Sequence, residues 1–179
     1  MFFSLTSRWG EKMNDVRIKA ILNNTQYQEY IRKNQDREQQ RKYCKHGWEH
    51  SFDVARVAYI LALEAGRDQI AVLDKELVYA AALLHDIGRW KQYDNGVDHA
   101  RVGAELAGKI LREAGFNEEE IHTVREAIRC HRRPEQAACI LGTILYRADK
   151  TVRLCRQCTA RDDCNKFSEM EIIQEGRVY

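Results

Sequence analysis

The stretch Lys75-Glu76-Leu77-Val78-Tyr79-Ala80-Ala81-Ala82-Leu83-Leu84-His85-Asp86-Ile87-Gly88 decides the architecture of this chain. From Leu77 to Leu84 it is apolar nearly all the way round, the mark of a central helix buried on every side. Gly88 is the expected cap. The apolar run leads straight into a histidine and an aspartate. A buried helix therefore delivers two groups that are costly to bury without partners.

Working outward, the apolar residues recur with helical period. On the N-terminal side a helix is expected from about His46 to Ala65, with Gly66 as its stop. His50, Val54, Val57 and Leu61 share one face of it. Residues 13–40 read as one or two polar helices carrying Val16, Ile18, Ile21, Tyr27 and Ile31. On the C-terminal side residues 89–98 read as a loop containing the turn Asp94-Asn95-Gly96. A helix from Asp98 to about Ala114 then aligns His99, Val102, Gly103, Leu106 and Ile110. Asn117 is the expected N-cap of the next helix, whose inner face holds Ile121, Val124, Ile128 and His131. Pro134 is expected to open a last helix, with Leu141, Leu145, Ala148 and Asp149 along one side.

Composition agrees with an all-α fold. The 179 residues include one proline, whereas an all-β chain of this length would carry several at its turns. The length suits one domain, organised as N-terminal extension and polar helices (1–40), helical core (41–154) and cysteine-bearing tail (155–179). Lys+Arg 29 against Asp+Glu 27 leaves a formal charge of +2, which argues against an electrostatic grip on nucleic acid as the main function. No run approaches the roughly 20 apolar residues of a membrane span. The first ten residues lack the pattern of a signal peptide, so the expected compartment is the cytoplasm, with its cysteines reduced or metal-bound.

Within this frame His50, His85, Asp86, His99, His131 and Asp149 each fall on, or at the end of, an apolar helical face. A lone histidine on such a face is more often a hydrogen-bonded core residue than a ligand. Six such groups on different helices share one need for a partner, and a metal centre meets it most simply. Imidazole and carboxylate form the ligand set of a divalent transition metal such as Fe, Mn, Co, Ni or Zn.

His50 with Ser51 and Val54-Ala55, then His85-Asp86-Ile87-Gly88, then Ala148-Asp149, resemble the HD-domain superfamily of metal-dependent phosphohydrolases, over about residues 44–154. The resemblance implies an all-α helical bundle and a metal held by His50, His85, Asp86 and Asp149. His99 and His131 are similar to the extra ligands of the branches with five or six, which include diadenosine tetraphosphate hydrolases and cyclic-dinucleotide phosphodiesterases. It then implies a second ion, with Asp86 bridging the two. Two such ions lower the pKa of bound water, and the hydroxide attacks phosphorus in line.

Arg89 directly follows the motif, where several relatives place a phosphate-contacting lysine, and with Asp86 it is the expected catalytic pair. Arg101 and Lys150 are weaker candidates for phosphate contact. His46, one helical turn before His50, is expected to face the substrate or support a ligand. The chain lacks the Gly-Tyr-Pro element of the cyclic-di-GMP enzymes. The implied substrate is a small phosphorylated molecule of nucleotide type. No membrane partner is expected, and homodimerisation stays open. Two rivals share the same ligands: a non-catalytic metal- or nucleotide-binding sensor, and a mixed-valent di-iron oxygenase.

The tail carries Cys155-x-x-Cys158-x5-Cys164. A C-x-x-C step fits a structural metal, a redox pair or ordinary reduced thiols, and all three readings stand. A closed structural site needs a fourth ligand, which Cys44 or Cys139 supplies only if the fold brings one near.

Overall fold

A computed structural model describes residues 15–67, 73–133 and 139–174. Among them lie nine α-helices and no strand. They are α1 (Val16–Asn23), α2 (Thr25–Glu38), α3 (Trp48–Arg67), α4 (Lys75–Leu84), α5 (Arg89–Asn95), α6 (His99–Glu113), α7 (Glu118–Cys130), α8 (Ile140–Thr151) and α9 (Phe167–Gln174). Two short 3₁₀ turns, Cys155–Gln157 and Arg161–Asp163, separate α8 from α9. No helix among the described residues is long and apolar enough to cross a membrane.

Helix α4 is the axis of the bundle. Asp74 caps it through its side chain, accepting from the backbone N–H groups of Glu76 and Leu77. Val78 and every residue from Ala80 to Leu84 are fully buried. Helices α1, α3, α6, α7 and α8 all pack against it. The three consecutive alanines keep α4 thin enough for this many neighbours to approach. Val54, Ala58 and Leu61 of α3, Ile110 of α6, Ile128 of α7 and Leu145 of α8 complete the core. Arg17 ties three elements together, bonding Glu76 of α4 and Glu120 at the start of α7.

The described part of the 13–40 segment holds two helices, broken at Asn24, whose side chain caps α2. Ile18, Ile21, Tyr27 and Ile31 sink into the same core as the rest. Two expectations need correction. Residues 89–98 do not form a loop: Arg89–Asn95 is a helix, and it ends at Gly96 in the left-handed conformation at φ 71°. Helix α3 starts at Trp48 and runs through Gly66 to Arg67, so His46 stands outside it. Pro134 lies outside the described residues.

The turn between α4 and α5 is held from two sides. Asn34 of α2, fully buried, donates from Nδ2 to the Asp86 carbonyl at 2.9 Å. Its Oδ1 accepts from the backbone N–H of Trp90 at 2.7 Å. From the other side α6 comes so close that a Cβ on Gly88 would sit 2.6 Å from both the Gly103 nitrogen and the His99 carbonyl oxygen. Both obstacles are backbone, which cannot swing away. Gly88→Ala is therefore expected to destabilise the fold by about 1–3 kcal/mol, as overpacking does. Urea unfolding that gives the same midpoint for Gly88→Ala and the parent would contradict this packing.

Candidate metal centre

The functional side chains sit where helix ends converge. His85 and Asp86 follow the last turn of α4, and His131 is the C-cap of α7. His99 opens α6, behind the N-cap Asp98. His50 lies in the first turns of α3, and Asp149 projects from α8. His85, Asp86, His99, His131 and Asp149 are each at most 2% exposed.

Helix ends also fix the chemistry of the rings. The last carbonyls of a helix lack intrahelical donors. His85 Nδ1 donates to the Ala82 carbonyl and His131 Nδ1 to the Ile128 carbonyl, each at 2.6 Å. His99 Nδ1 donates to Gln92 Oε1. With Nδ1 committed, each neutral ring presents a bare Nε2 lone pair.

Those lone pairs face other acceptors. His85 Nε2 is 3.2 Å from Asp86 Oδ2, and His99 Nε2 is 3.1 Å from Asp86 Oδ1. His131 Nε2 lies 3.7 Å from Asp86 Oδ1 and 3.3 Å from His99 Nε2. These are ion-pair distances, yet His85 Nε2 and Asp86 Oδ1 are left without a hydrogen-bond partner. Acceptors that converge in a dry interior need a cation between them, a proton or a metal ion. Two triads have ligand atoms within 4.8 Å of one another: His50, His85 and Asp86, and Asp86, His99 and His131. Asp86 belongs to both. Asp149 Oδ1 joins the first triad's edge, 3.0 Å from His50 Nε2 and 3.9 Å from His85 Nε2. The residues fit one or two divalent ions, with orientation supplied by the Nδ1 hydrogen bonds.

Charges around the cluster favour the same occupant. Burial opposes ionisation of Asp86 and Asp149, but Arg89 beside the first and Arg153 beside the second outweigh it. Both carboxyls are held well below the usual range. Burial pushes His50 and His131 down, and His99 to about 4, which keeps those rings neutral. His85 differs: burial lowers its pKa, but the adjacent Asp86 outweighs burial and draws it up.

The cluster opens into a cavity of about 340 Å³. Arg41, Arg89, Arg132, Lys150, Arg153 and Lys166 line it, against Asp149 and Glu169 as the acids. Arg89 Nη2 stands 3.1 Å from Asp86 Oδ1. Lys150 and Arg153 each reach an oxygen of Asp149 at 2.6 Å. Arg101 is exposed and lies outside this cavity, lining a neighbouring one of about 200 Å³ with Arg129, Arg132 and Arg133. His46 lines the main cavity but is not on the helix of His50. Its position is set from α2, where Glu38 accepts from both its backbone N–H and its Nδ1, at 2.7 and 2.6 Å. Burial drives its pKa down to about 3, so the ring is neutral. Cys155 and Cys164 also line the main cavity, which the tail therefore roofs.

Four contributors escape the sequence reading: Asn34, Glu38, Gln92 and Arg153. The first two did leave a signal. Tyr27, Ile31, Asn34 and Glu38 follow i, i+4, i+7 and i+11, which puts two polar groups on an apolar stripe. Gln92 is hidden in the stretch read as a loop, and Arg153 lies just past the last apolar stripe, next to the cations of the tail.

Comparison with known proteins agrees with this geometry. The HD domain family pattern matches residues 47–154. An uncharacterised protein of Clostridium beijerinckii is 40% identical over 149 residues, covering 83% of this chain and 91% of that protein. Ribonuclease Y 1 of Pediococcus pentosaceus is 34% identical over 100 residues, 56% of this chain but only 17% of that much longer protein. A crystal structure titled as a predicted HD superfamily hydrolase, from an uncultured Thermotogales bacterium, superposes with a TM-score of 0.55 at 27% identity. It matches 82% of this chain and 83% of its own. With an all-α bundle that gathers His50, His85, Asp86 and Asp149 at its centre, the chain belongs to the HD-domain family.

Proposed function

We propose that the protein is a metal-dependent phosphohydrolase that cleaves a phosphate ester or anhydride of a small, nucleotide-like substrate in the cytoplasm. One observation carries this reading: a buried set of imidazole and carboxylate acceptors, two of whose atoms lack a hydrogen-bond partner, forms the floor of a cavity walled by cations. His50, His85, Asp86 and Asp149 would hold one ion, and Asp86, His99 and His131 a second. Divalent transition metals bound there would supply Lewis acidity and bring the pKa of a coordinated water towards neutrality.

The chain's own groups do the rest. Arg89, Lys150 and Arg153 bind phosphoryl oxygens and offset the charge that builds on them during displacement. Arg89 adds the geometry of a two-pronged donor. His46, with Nδ1 tied to Glu38, keeps Nε2 as an acceptor that orients a substrate hydroxyl. At about 340 Å³ the cavity is at the lower end of small-molecule sites, which suits a mononucleotide better than a bulky ligand.

A second reading rests on the arginines beyond it. Arg132 borders both cavities, so a basic track leads from the centre past Arg129 and Arg133 to Arg101. A short single-stranded oligonucleotide could lie along that track, and the match to ribonuclease Y points the same way. Charge reversal at Arg101 and Arg129 separates the two. It would weaken oligonucleotide cleavage and leave mononucleotide hydrolysis unchanged.

The principal test is turnover of a nucleotide panel and of p-nitrophenyl phosphate esters with Mn²⁺, Fe²⁺, Co²⁺ or Ni²⁺. Asp86→Ala is expected to abolish turnover, and Arg89→Ala to lower kcat/KM about 10²-fold. Absence of hydrolysis with every metal and substrate would favour a binding module. Strict dependence on iron and dioxygen would favour an oxygenase. Elemental analysis provides an independent prediction. Because both triads share Asp86, Asp86→Ala should lose all His/Asp-bound metal, whereas His99→Ala should lose only the second ion. Equal retention by the two variants would refute a shared ligand.

A further inference from the structure

The cysteines divide into two groups that spacing alone does not separate. Cys130 ends α7 and Cys139 precedes α8. The other four, Cys44, Cys155, Cys158 and Cys164, line a single cavity of about 530 Å³ between the α2–α3 connection and the tail. None of the six is in a disulfide.

The local backbone prepares these thiols. Cys155 opens the first 3₁₀ turn and Cys158 follows it, with the Cys158 N–H donating to the Cys155 carbonyl at 3.2 Å. Cys164 follows the second turn in the same way, its N–H donating to Arg161 at 3.0 Å. Each turn thus ends in an extended cysteine. The α2–α3 connection is fastened to the second turn by the Lys42–Asp163 ion pair and by the Tyr43 hydroxyl donating to the Asp163 carbonyl. Arg41 Nε donates to the Cys44 carbonyl at 3.0 Å, which fixes the local backbone of the fourth cysteine. The Cys155 sulfur lies within electrostatic reach of the other three. Burial raises the Cys155 thiol, and Cys44, Cys158 and Cys164 raise it further.

Packing does not explain the gathering. Between Cys155 and Lys166 only Ala160 is buried, and Leu154 just before is 73% exposed. All four thiols are half-buried, whereas unreactive structural cysteines are usually fully buried. A segment this poor in apolar contacts, yet bent into two turns, calls for a cross-link.

We infer that Cys44, Cys155, Cys158 and Cys164 form a tetrathiolate site for a zinc ion that pins the tail over the catalytic cavity. Among the described residues only the His/Asp triads already have ligand atoms within 4.8 Å of one another. The thiols draw together on the ion, as small metal-bound elements do when binding and folding are coupled. Four S–H bonds break, four S–Zn bonds form, and four protons pass to solvent without a change of oxidation state. The filled site carries a formal charge of −2. Lys45, Arg153 and Arg161 line the same cavity, opposed by Asp53 as its acid, and offset that charge. Neither the ligands nor the geometry depends on the hydrolase reading.

The test uses the full chain, stripped of metal and titrated with Co²⁺ and then Zn²⁺. Tetrahedral thiolate ligation of Co²⁺ gives an intense near-ultraviolet charge-transfer band, which the sulfur-free His/Asp centre cannot produce. The band should appear, vanish when Zn²⁺ displaces Co²⁺, and be absent in Cys158→Ser but present in Cys130→Ser. A disulfide-forming reagent applied to the wild-type protein gives a readout independent of any variant's folding. Zn²⁺ should protect four of the six thiols. No thiolate band, six thiols that react alike with and without Zn²⁺, a native disulfide, or an iron–sulfur chromophore would each overturn the assignment.

Discussion

A carboxylate buried against imidazole nitrogens that have no proton to give it is the constraint on which this bundle is organised. Asp86 meets His85, His99 and His131, and the Nδ1 protons of all three rings are spent elsewhere. Two are spent on the Ala82 and Ile128 carbonyls in the last turns of α4 and α7, the second of which also accepts from the His131 backbone N–H. The helix ends are therefore part of the ligand geometry. Lengthening α4 or α7 by a turn would consume the carbonyls that orient the rings. The close approach at Gly88 and the Asn34 clamp serve the same point, since both fix the backbone that carries Asp86. Buried acceptors left unsatisfied cost stability, and a cation held among these rings would satisfy them.

How much of this was legible follows from which residues had to be buried. The apolar run of α4 and the stripes of α3, α6, α7 and α8 announce themselves by period, and so do polar residues that interrupt those stripes. Hence the fold and the six clustered side chains could be read from the sequence. Asn34 and Glu38 obey the same rule but sit on α2, whose Gln, Lys and Arg obscure the apolar stripe. Helix α5 has no fully buried residue, so no periodic signal marks it. Its sequence, Arg-Trp-Lys-Gln-Tyr-Asp-Asn, ends in turn-forming residues that suggest a loop. His46 shows the opposite error. Its four-residue spacing from His50 mimics a helical pair, but a backbone bond to Glu38 holds it in the connection before the helix begins.

The tail was least legible because polar contacts, not burial, position it. A C-x-x-C spacing shows that two thiols can reach one point, but not where in the molecule that point lies. Lys42, Tyr43 and Asp163 determine the location, through an ion pair and a hydrogen bond at the surface. Such contacts are individually weak. The floor of the cavity is thus set by a close-packed core, while its roof rests on a few exposed polar links together with the buried Ala160 and Met170.

Floor and roof are joined by charge. A net charge of +2 gives little hint of an anion site, since composition does not show where cations gather. Arg89, Lys150 and Arg153 stand at the cavity wall as counterions to Asp86 and Asp149. An ion that takes those carboxylates as ligands supplies the positive charge they require, and so weakens their hold on the three side chains. The guanidinium and ammonium groups can then turn to phosphoryl oxygens, the strongest acceptors a substrate could bring into the cavity. On the proposed reading, metal loading and anion binding would be coupled through the same two aspartates, which now pair with Arg89, Lys150 and Arg153. On that reading, electrostatics would put the metal first, because only then would the cations of the wall be available to a phosphate.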